Sequence, residues 1–237
     1  MKNHIFTVFA VLALGLGVSS CSLNSYTPSD PIYFSFATTS LNGASDNSKI
    51  TFYTDDMRLL VPNETITSKF KAKEGKRVGL YFSLPSTTTA DDVVTSIKIY
   101  QIDTSIIIGN TVSLETLEDI VVSGNDRVSI NTTPNPPCVT EKFVNLYVIV
   151  NASDIKKHTF TLAHDTSKPG TDKELNFTLI HKANGDISSL EYSSWVSFPL
   201  SGFTSELAGK DQIAIDINTR MNGLQTLHLA LPKQETK

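Results

Sequence analysis

Short stretches in which apolar and polar residues alternate are the feature that most constrains the fold of this chain. Ile32, Phe34 and Phe36 alternate with Tyr33, Ser35 and Ala37, and three leucines alternate near the carboxyl end at Leu227, Leu229 and Leu231. Because successive side chains of a strand point to opposite faces, this pattern predicts half-buried strands. Turn residues separate the stretches, and we find neither a long amphipathic helix nor a fixed-period repeat. The pattern therefore predicts an all-β protein.

The stretches between residues 32 and 108 are predicted to form a small barrel. The two stretches on either side of Asp55-Asp56 are predicted to pair as a hairpin. Farther on, the apolar frame shifts between Ile99 and Ile102, which indicates one inserted residue and a β-bulge that lets the strand curve. About five short, curved strands suit a small barrel.

The second half of the chain is predicted to form a β-sandwich of about seven or eight short strands. Phe143–Val150 is apolar on both faces, which is typical of a central strand. Asn222-Gly223 predicts a tight hairpin turn. Gly109–Leu117 has the weakest alternation pattern, so we place the domain boundary there. Within it, Leu114–Leu117 could form a helical turn. The predicted barrel spans residues 31–110 and the predicted sandwich spans residues 111–237.

Residues 1–20 are predicted to be a lipoprotein signal peptide. A short basic start precedes the apolar run Ile5–Val18, which is too short to cross about 30 Å of hydrocarbon. The sequence Val18-Ser19-Ser20-Cys21 resembles the lipobox of bacterial lipoproteins. That resemblance implies that Cys21 becomes the lipid-bearing first residue, followed by a tether through residue 30, and two or more acyl chains anchor stably. Ordinary signal cleavage that leaves a free cysteine is the alternative.

Charge and location limit the partners that we expect. The formal net charge is −4 and no basic run is present, which argues against binding to nucleic acid. Residues 22–26 lack the acidic side chains that follow the cysteine in many surface-displayed lipoproteins. We therefore expect an outer-membrane protein that faces the periplasm, with display at the cell surface as the alternative. We expect a monomer without a cofactor that contacts the membrane through Cys21 and has an envelope protein or glycan as its partner.

Four short sequences carry a resemblance to a known family: Glu74–Val78, Asp165–Pro169, His181–Asp186 and Val196–Leu200. Together they resemble the NigD-like lipoproteins, and the resemblance spans most of the mature chain. It implies an N-terminal OB-like barrel followed by a C-terminal β-sandwich. No active site comes with it, and the name of the family suggests bacteriocin immunity or export accessory roles by association only.

Three histidines are the strongest candidates for metal chemistry. His158, His164 and His181 are predicted to lie near one hairpin, where two of the imidazoles could meet and, with Asp165, bind a metal in an envelope hydrolase. No close pair such as His-x-His occurs, so we favour structural or solvent-facing histidines and expect no metal and no catalytic residue.

Three other residues are candidates for ligand contact. Trp195 is predicted to lie on the face opposite Val196 and Phe198, and with Tyr192 it could stack on a sugar ring or cover a second layer. Asp186 ends the predicted loop sequence Asn184-Gly185-Asp186. We favour a role of this sequence in turn geometry over a role in recognition of a ligand.

The remaining polar residues carry weaker signals. The pairs Asp55-Asp56 and Asp91-Asp92 could be hydrolytic acids or calcium ligands, but both are predicted to be turn residues. Cys138 follows two prolines without a histidine nearby, and we interpret it as incidental rather than as a nucleophile.

Overall fold

The computed structural model describes residues 31–66, 70–84, 94–115, 124–168 and 170–232. The predicted signal peptide, Cys21 and the tether lie outside these ranges, as do Asp91 and Asp92. The chain divides into two compact units, Met1–Thr104 and Ser105–Lys237. Within the described ranges, no helix is long and apolar enough to cross a membrane.

The first unit is a closed barrel of five strands. These strands are β1 (Tyr33–Ser40), β2 (Thr51–Thr54), β3 (Leu59–Pro62), β4 (Arg77–Ser83) and β5 (Val94–Asp103). They follow the order β1-β2-β3-β5-β4, with β4 pairing back to β1. Only the β3–β5 pair among them is parallel. The predicted OB-like barrel is confirmed, as is the β2–β3 hairpin around Asp55-Asp56.

The predicted β-bulge lies in β5. Tyr81 of β4 is opposite Gln101, whereas the next residue, Phe82, is opposite Ile99, so Tyr100 is the inserted residue. Because of this insertion, Tyr100 and Gln101 are both exposed although they are consecutive. The sequence therefore located the bulge correctly.

The alternation in β1 predicts one buried face, but the face that enters the barrel core is the one that holds Ala37. Ile32 is 46% exposed. The ring of Phe34 packs over Gly79 of β4, where an added Cβ would lie 2.9 Å from Phe34 Cε2. Phe36 is also buried. Because Gly79 lacks a side chain, the outer face of this strand pair accommodates aromatic rings of its own.

The second unit is a β-sandwich of two sheets, as predicted. Its strands are β6 (Ile107–Ile108), β7 (Asn110–Leu114), β8 (Ser129–Ile130), β9 (Cys138–Val139), β10 (Phe143–Asn151), β11 (Thr159–Asp165), β12 (Gly170–Thr171), β13 (Glu174–Lys182), β14 (Glu191–Pro199), β15 (Gln212–Thr219) and β16 (Gly223–Ala230). One sheet has the order β6-β14-β10-β8, with β9 also pairing with β10. The other has the order β16-β15-β13-β11-β7, with β12 pairing with β13. The predicted central strand at Phe143–Val150 is β10.

Short helical turns complete the described parts of both units. They are 3-10 turns at Asn47–Lys49, Ile155–Lys157 and Ser201–Phe203, and the helix α1 (Thr204–Leu207).

The boundary between the units differs from the predicted one. The second unit begins at Ser105, because Ile107 and Ile108 pair with β14 in the sandwich. Gly109 follows, and an added Cβ there would lie 2.4 Å from the Phe198 ring. Residues 110–114 form β7, which pairs in parallel with β11, so a helical turn that starts at Leu114 is wrong for the described part of that stretch.

The predicted hairpin at Asn222-Gly223 joins β15 to β16. Thr219 is paired with Gly223, so residues 220–222 form the loop, and Gly223 has φ of +68°. A three-residue loop followed by a residue in the left-handed region is a common hairpin, and glycine adopts that conformation without strain. The register places Ile213, Ile215 and Ile217 on the core face, as predicted.

Candidate functional site

An open pocket of about 580 Å³ lies on the barrel unit. One wall comes from β5, where the bulge places Tyr100 and Gln101 beside Lys98. The opposite side comes from the segments that follow β3 and precede β4, including Asn63, Ile66, Phe70, Lys71 and Lys76.

Backbone and side-chain hydrogen bonds fix the walls of this pocket. Asn63 N donates to Ile97 O at 2.9 Å, which holds the segment after β3 against β5. Asn47 Nδ2 donates to Phe70 O at 2.7 Å, and Asn47 Oδ1 accepts from Ala72 N at 3.1 Å. One asparagine amide therefore pins the strip of chain that contains Lys71.

The pocket is basic in an acidic chain. Among the described residues, its lining includes Lys71, Lys76 and Lys98 but one carboxylate, Glu64, so these side chains sum to a formal charge of +2, whereas the whole chain carries −4. Lys98 Nζ lies 5.5 Å from the centre of the Tyr100 ring. In the part of the chain that the structure describes, none of these three lysines forms an ion pair with a carboxylate. The pocket therefore offers ammonium groups to an anion.

A second polar cluster is buried in the sandwich and joins two of the predicted histidines to Asp186. His158 Nδ1 lies 2.8 Å from His181 Nε2, and His158 Nε2 lies 3.2 Å from Asp186 Oδ2. The two imidazole ring centroids lie 5.1 Å apart, and the Phe160 ring stacks on His181 with centroids 4.8 Å apart. Relative exposure is 6% for His158, 2% for His181 and 7% for Asp186. This cluster has little access to any substrate.

Asp186 closes a loop onto the turn that precedes β11. Its Oδ2 accepts from Ser153 N and Asp154 N, both at 2.8 Å, and its Oδ1 accepts from the Ser153 hydroxyl. These hydrogen bonds, led by the one from the Ser153 hydroxyl, hold the pKa of Asp186 well below its ordinary value. Asp186 is therefore an ionised acceptor for backbone amides, which fixes the geometry of this loop.

The ionised Asp186 fixes one proton of the histidine pair. His158 Nε2–H donates to the carboxylate, and the other ring nitrogen of His158 is hydrogen-bonded to His181 Nε2. His181 Nδ1 is buried and has no hydrogen-bond partner of ordinary geometry among the residues that the structure describes. Burial lowers the pKa of His181, and the neighbouring His158 lowers it further.

Two of the imidazoles, His158 and His181, do meet across the β11–β13 pair, but His164 and Asp165 are not part of their cluster. His164 lies six residues beyond His158 along β11, about 20 Å at the rise of a strand. Its Nδ1 contacts Asn176 O at 2.8 Å. Asp165 accepts from Ser167 N and Oγ, and the hydroxyl bond lowers the pKa of Asp165. Within the described ranges, no group of three or more histidine, cysteine or acidic side chains is arranged to hold a metal.

The predicted aromatic contacts lie on β14. Trp195 is 5% exposed and meets Tyr147 edge to face at 5.2 Å, so its ring is covered, and stacking on a sugar, the less favoured alternative, does not fit. Tyr192 is half-buried and packs against the sandwich core. Neither ring stands open for stacking on a sugar.

The remaining candidates have structural partners. Asp55 forms two hydrogen bonds with Arg77, at 2.8 and 2.7 Å, and both side chains are buried. Asp56 pairs with Arg58 at 3.2 Å near the surface. Cys138 lies in β9 rather than in a loop, and its Sγ accepts from Asn145 Nδ2 at 3.8 Å. None of these groups lines the pocket.

Sequence reasoning missed the pocket lysines. Lys71 and Lys76 belong to a lysine-rich stretch, residues 69–77, and Lys98 lies apart from it in β5. A second local signal was the frame shift between Ile99 and Ile102, which marks where Tyr100 turns outward. The closure of the barrel brings the rest together.

Solved structures share the fold of this chain. The chain is similar to a protein of unknown function from Bacteroides vulgatus ATCC 8482, with TM-score 0.67 and 16% identity over 86% of this chain and 92% of that one. It is also similar to a candidate lipoprotein from Bacteroides fragilis NCTC 9343, with TM-score 0.60 and 14% identity over 86% and 100%. A NigD-like immunity protein from Bacteroides caccae ATCC 43185 matches with TM-score 0.53 and 17% identity over 86% and 93%. At these identities the likeness shows a shared fold.

Sequence comparison gives the family. The chain has no match among curated proteins. The family described as the NigD-like C-terminal beta sandwich domain matches residues 111–231, just over half of the 237-residue chain. That range covers most of the strands of the sandwich unit described above, and the chain therefore belongs to the NigD-like family.

Proposed function

We propose that this protein is a non-enzymatic binding module of the bacterial cell envelope, anchored by lipid on Cys21. The observation that carries the proposal is the open pocket of the barrel unit, whose size lies within the usual range for small-molecule sites, about 300–1,000 Å³. It contains ammonium groups that no carboxylate of the described chain neutralises. A pocket with that surface suits reversible binding.

The buried histidines support a role without catalysis. A general base must reach its substrate within about 3 Å, directly or through one water. His158 and Asp186 instead have 0% and 2% exposed side chains, and Asp186 is occupied by the amides of a loop. Their geometry supports a structural role, in which the carboxylate and the two rings lock the loop between β13 and β14 onto the sandwich.

The lipid anchor is supported by the sequence before Cys21 and by the candidate lipoprotein of Bacteroides fragilis that shares the fold. Cells grown with an alkyne-labelled fatty acid should incorporate label into the wild type and into the matched Cys138→Ala variant, but not into Cys21→Ala. Equal label in all three proteins contradicts the anchor.

The orientation is tested separately. We expect the domain to survive protease treatment of intact cells and to be degraded once the outer membrane is opened. Degradation in intact cells places it at the cell surface instead.

Binding without turnover is tested with the purified mature chain, residues 21–237, and a panel of neutral and acidic oligosaccharides. We expect calorimetry to detect binding and chromatography to recover the bound oligosaccharide unchanged. Turnover that disappears in a folded His158→Gln variant contradicts the proposal and favours an envelope hydrolase.

Bacteriocin immunity or an export accessory role is the second candidate. It is favoured by the NigD-like immunity protein from Bacteroides caccae with the same fold. If the candidate is correct, a bacteriocin gene lies beside this one, and deletion of this gene sensitises the cell to that bacteriocin. Unchanged sensitivity argues against immunity.

A further inference from the structure

We propose that the pocket of the barrel unit binds an anionic saccharide, a sugar chain that carries carboxylate, phosphate or sulfate groups. This inference rests on the proposed binding function and names the ligand class for the same site. Its basis is the charge, the neutral polar groups and the single exposed ring that line the pocket.

Charge favours an anion. The described lining of the pocket has a formal charge of +2 within a chain of −4, so its sign is opposite to that of the protein as a whole. A cleft lined by one sign of charge raises the local concentration of the opposite ion. Lys71 and Lys98 are exposed and Lys76 is half-buried. The ammonium groups are therefore accessible to a ligand that enters from solvent.

Neutral polar groups favour a ligand with hydroxyl groups. Asn63, Thr65, Gln101 and Thr104 line the same pocket. Their amides and hydroxyls both donate and accept hydrogen bonds, which matches the alternating donor and acceptor character of sugar hydroxyls. A simple inorganic anion would use only the donors. The mixture indicates a ligand with both charges and hydroxyl groups.

Tyr100 supplies one apolar surface for a sugar ring. It is 45% exposed, because the bulge in β5 turns it outward, and its ring lies under the Lys98 ammonium. A tyrosine ring combines a flat apolar face with a polar edge. Single-stranded nucleic acid usually stacks successive bases on several aromatic rings, and Tyr100 is the exposed aromatic residue of this lining. One ring beside three lysines fits a short acidic saccharide better.

The test compares probes of matched length on the mature chain, residues 21–237. The acidic probes are trigalacturonic acid, a sulfated trisaccharide and a phosphorylated trisaccharide, which distinguish the three sources of negative charge. Maltotriose is the neutral control, inorganic phosphate tests simple anion binding, and oligo-dT tests nucleic acid. Calorimetry gives the affinity of each probe at low and high salt.

We expect at least one acidic trisaccharide to bind about tenfold or more tightly than maltotriose, because maltotriose lacks the charged group that would form a hydrogen bond with a lysine ammonium group. Binding should weaken with added salt, since the lysines are accessible to solvent. The double variant K71Q/K98Q should lose about tenfold in affinity or more. The matched variant Lys49→Gln, an exposed lysine of the same unit outside the pocket lining, should bind as the wild type does.

A second variant separates sugar contact from simple charge. Tyr100→Leu should weaken the acidic trisaccharide and leave any weak binding of inorganic phosphate unchanged. If Tyr100→Leu has no effect and phosphate binds as tightly as the trisaccharide, the pocket is an anion site and the saccharide assignment is wrong.

The remaining outcomes are also decisive. Maltotriose binding equal to that of the acidic probes, with no effect of K71Q/K98Q, overturns the anionic assignment but leaves the proposed binding function intact. Tighter binding of oligo-dT that depends on the lysines overturns the saccharide assignment in favour of nucleic acid. If none of the probes binds, both this inference and the pocket-based binding function fail.

Discussion

Replacing Ile215 with alanine should destabilise the sandwich unit strongly. Ile215 is fully buried on β15, opposite Phe177 on one neighbouring strand and Leu227 on the other. The change removes about three buried carbons at about 0.8 kcal/mol each, or about 2.4 kcal/mol. The cavity that remains raises the loss into the range of about 2–5 kcal/mol for such changes. At a urea slope of about 2 kcal/mol per molar, the midpoint should fall by about 1–2.5 M.

Fluorescence of the single tryptophan is the assay. Trp195 is 5% exposed on β14 of the sandwich, so its emission reports the unfolding of this unit. The matched control is Asp216→Ala, the next residue on the same strand, which accepts a hydrogen bond from Thr226 Oγ1 at 2.6 Å. Because that contact is at the surface, we expect a loss of about 1 kcal/mol or less. If Asp216→Ala lowers the midpoint more than Ile215→Ala does, the register of β15 is reversed and the core assignment is wrong.

Three further predictions follow from the same structure. Arg77→Met leaves Asp55 buried without its charged partner and should cost about 3–5 kcal/mol, whereas the surface control Arg58→Met should cost about 1 kcal/mol or less, both measured by urea unfolding followed by circular dichroism. Lowering the pH from 7.5 to 5 should lower the tryptophan-detected midpoint, because the unfolded His181 takes up a proton near its ordinary pKa of 6.5 while burial lowers its pKa in the folded state, and the decrease should be smaller in His181→Gln. Gly223→Val should cost about 1–3 kcal/mol because a β-branched residue resists φ of +68°, while Gly223→Asn should cost less, and equal losses would exclude backbone strain as the cause.

Local patterns in the sequence determined the strands and the turns and bulges that interrupt them. The alternation of Ile213, Ile215 and Ile217 records which face is buried, because every second side chain of a strand points the same way. The frame shift before Ile102 records the inserted Tyr100, and Asn222-Gly223 records a loop that needs a residue in the left-handed region. Each of these signals lies within about ten consecutive residues and can be recognised without knowledge of distant contacts. The all-β class, the barrel and the sandwich could therefore be predicted from such signals.

The tertiary structure determined which side chains that are distant in the sequence contact each other. Asp186, in the loop between β13 and β14, contacts His158, and Asp55, which follows β2, contacts Arg77 of β4. In the sequence, both carboxylates looked like ordinary turn residues. Trp195 lies on the face opposite Val196 and is nevertheless buried, because strand alternation specifies a face but does not specify what covers it.

The pocket shows the same division most clearly. Tyr100 was marked by a local frame shift, and Lys71 and Lys76 by a lysine-rich stretch, but nothing in the sequence places that stretch beside Lys98. They line one cavity because β5 pairs with both β3 and β4 when the barrel closes. Sequence periodicity thus determined which elements form, whereas strand pairing determined which charges meet, since pairing depends on contacts between residues far apart in the chain.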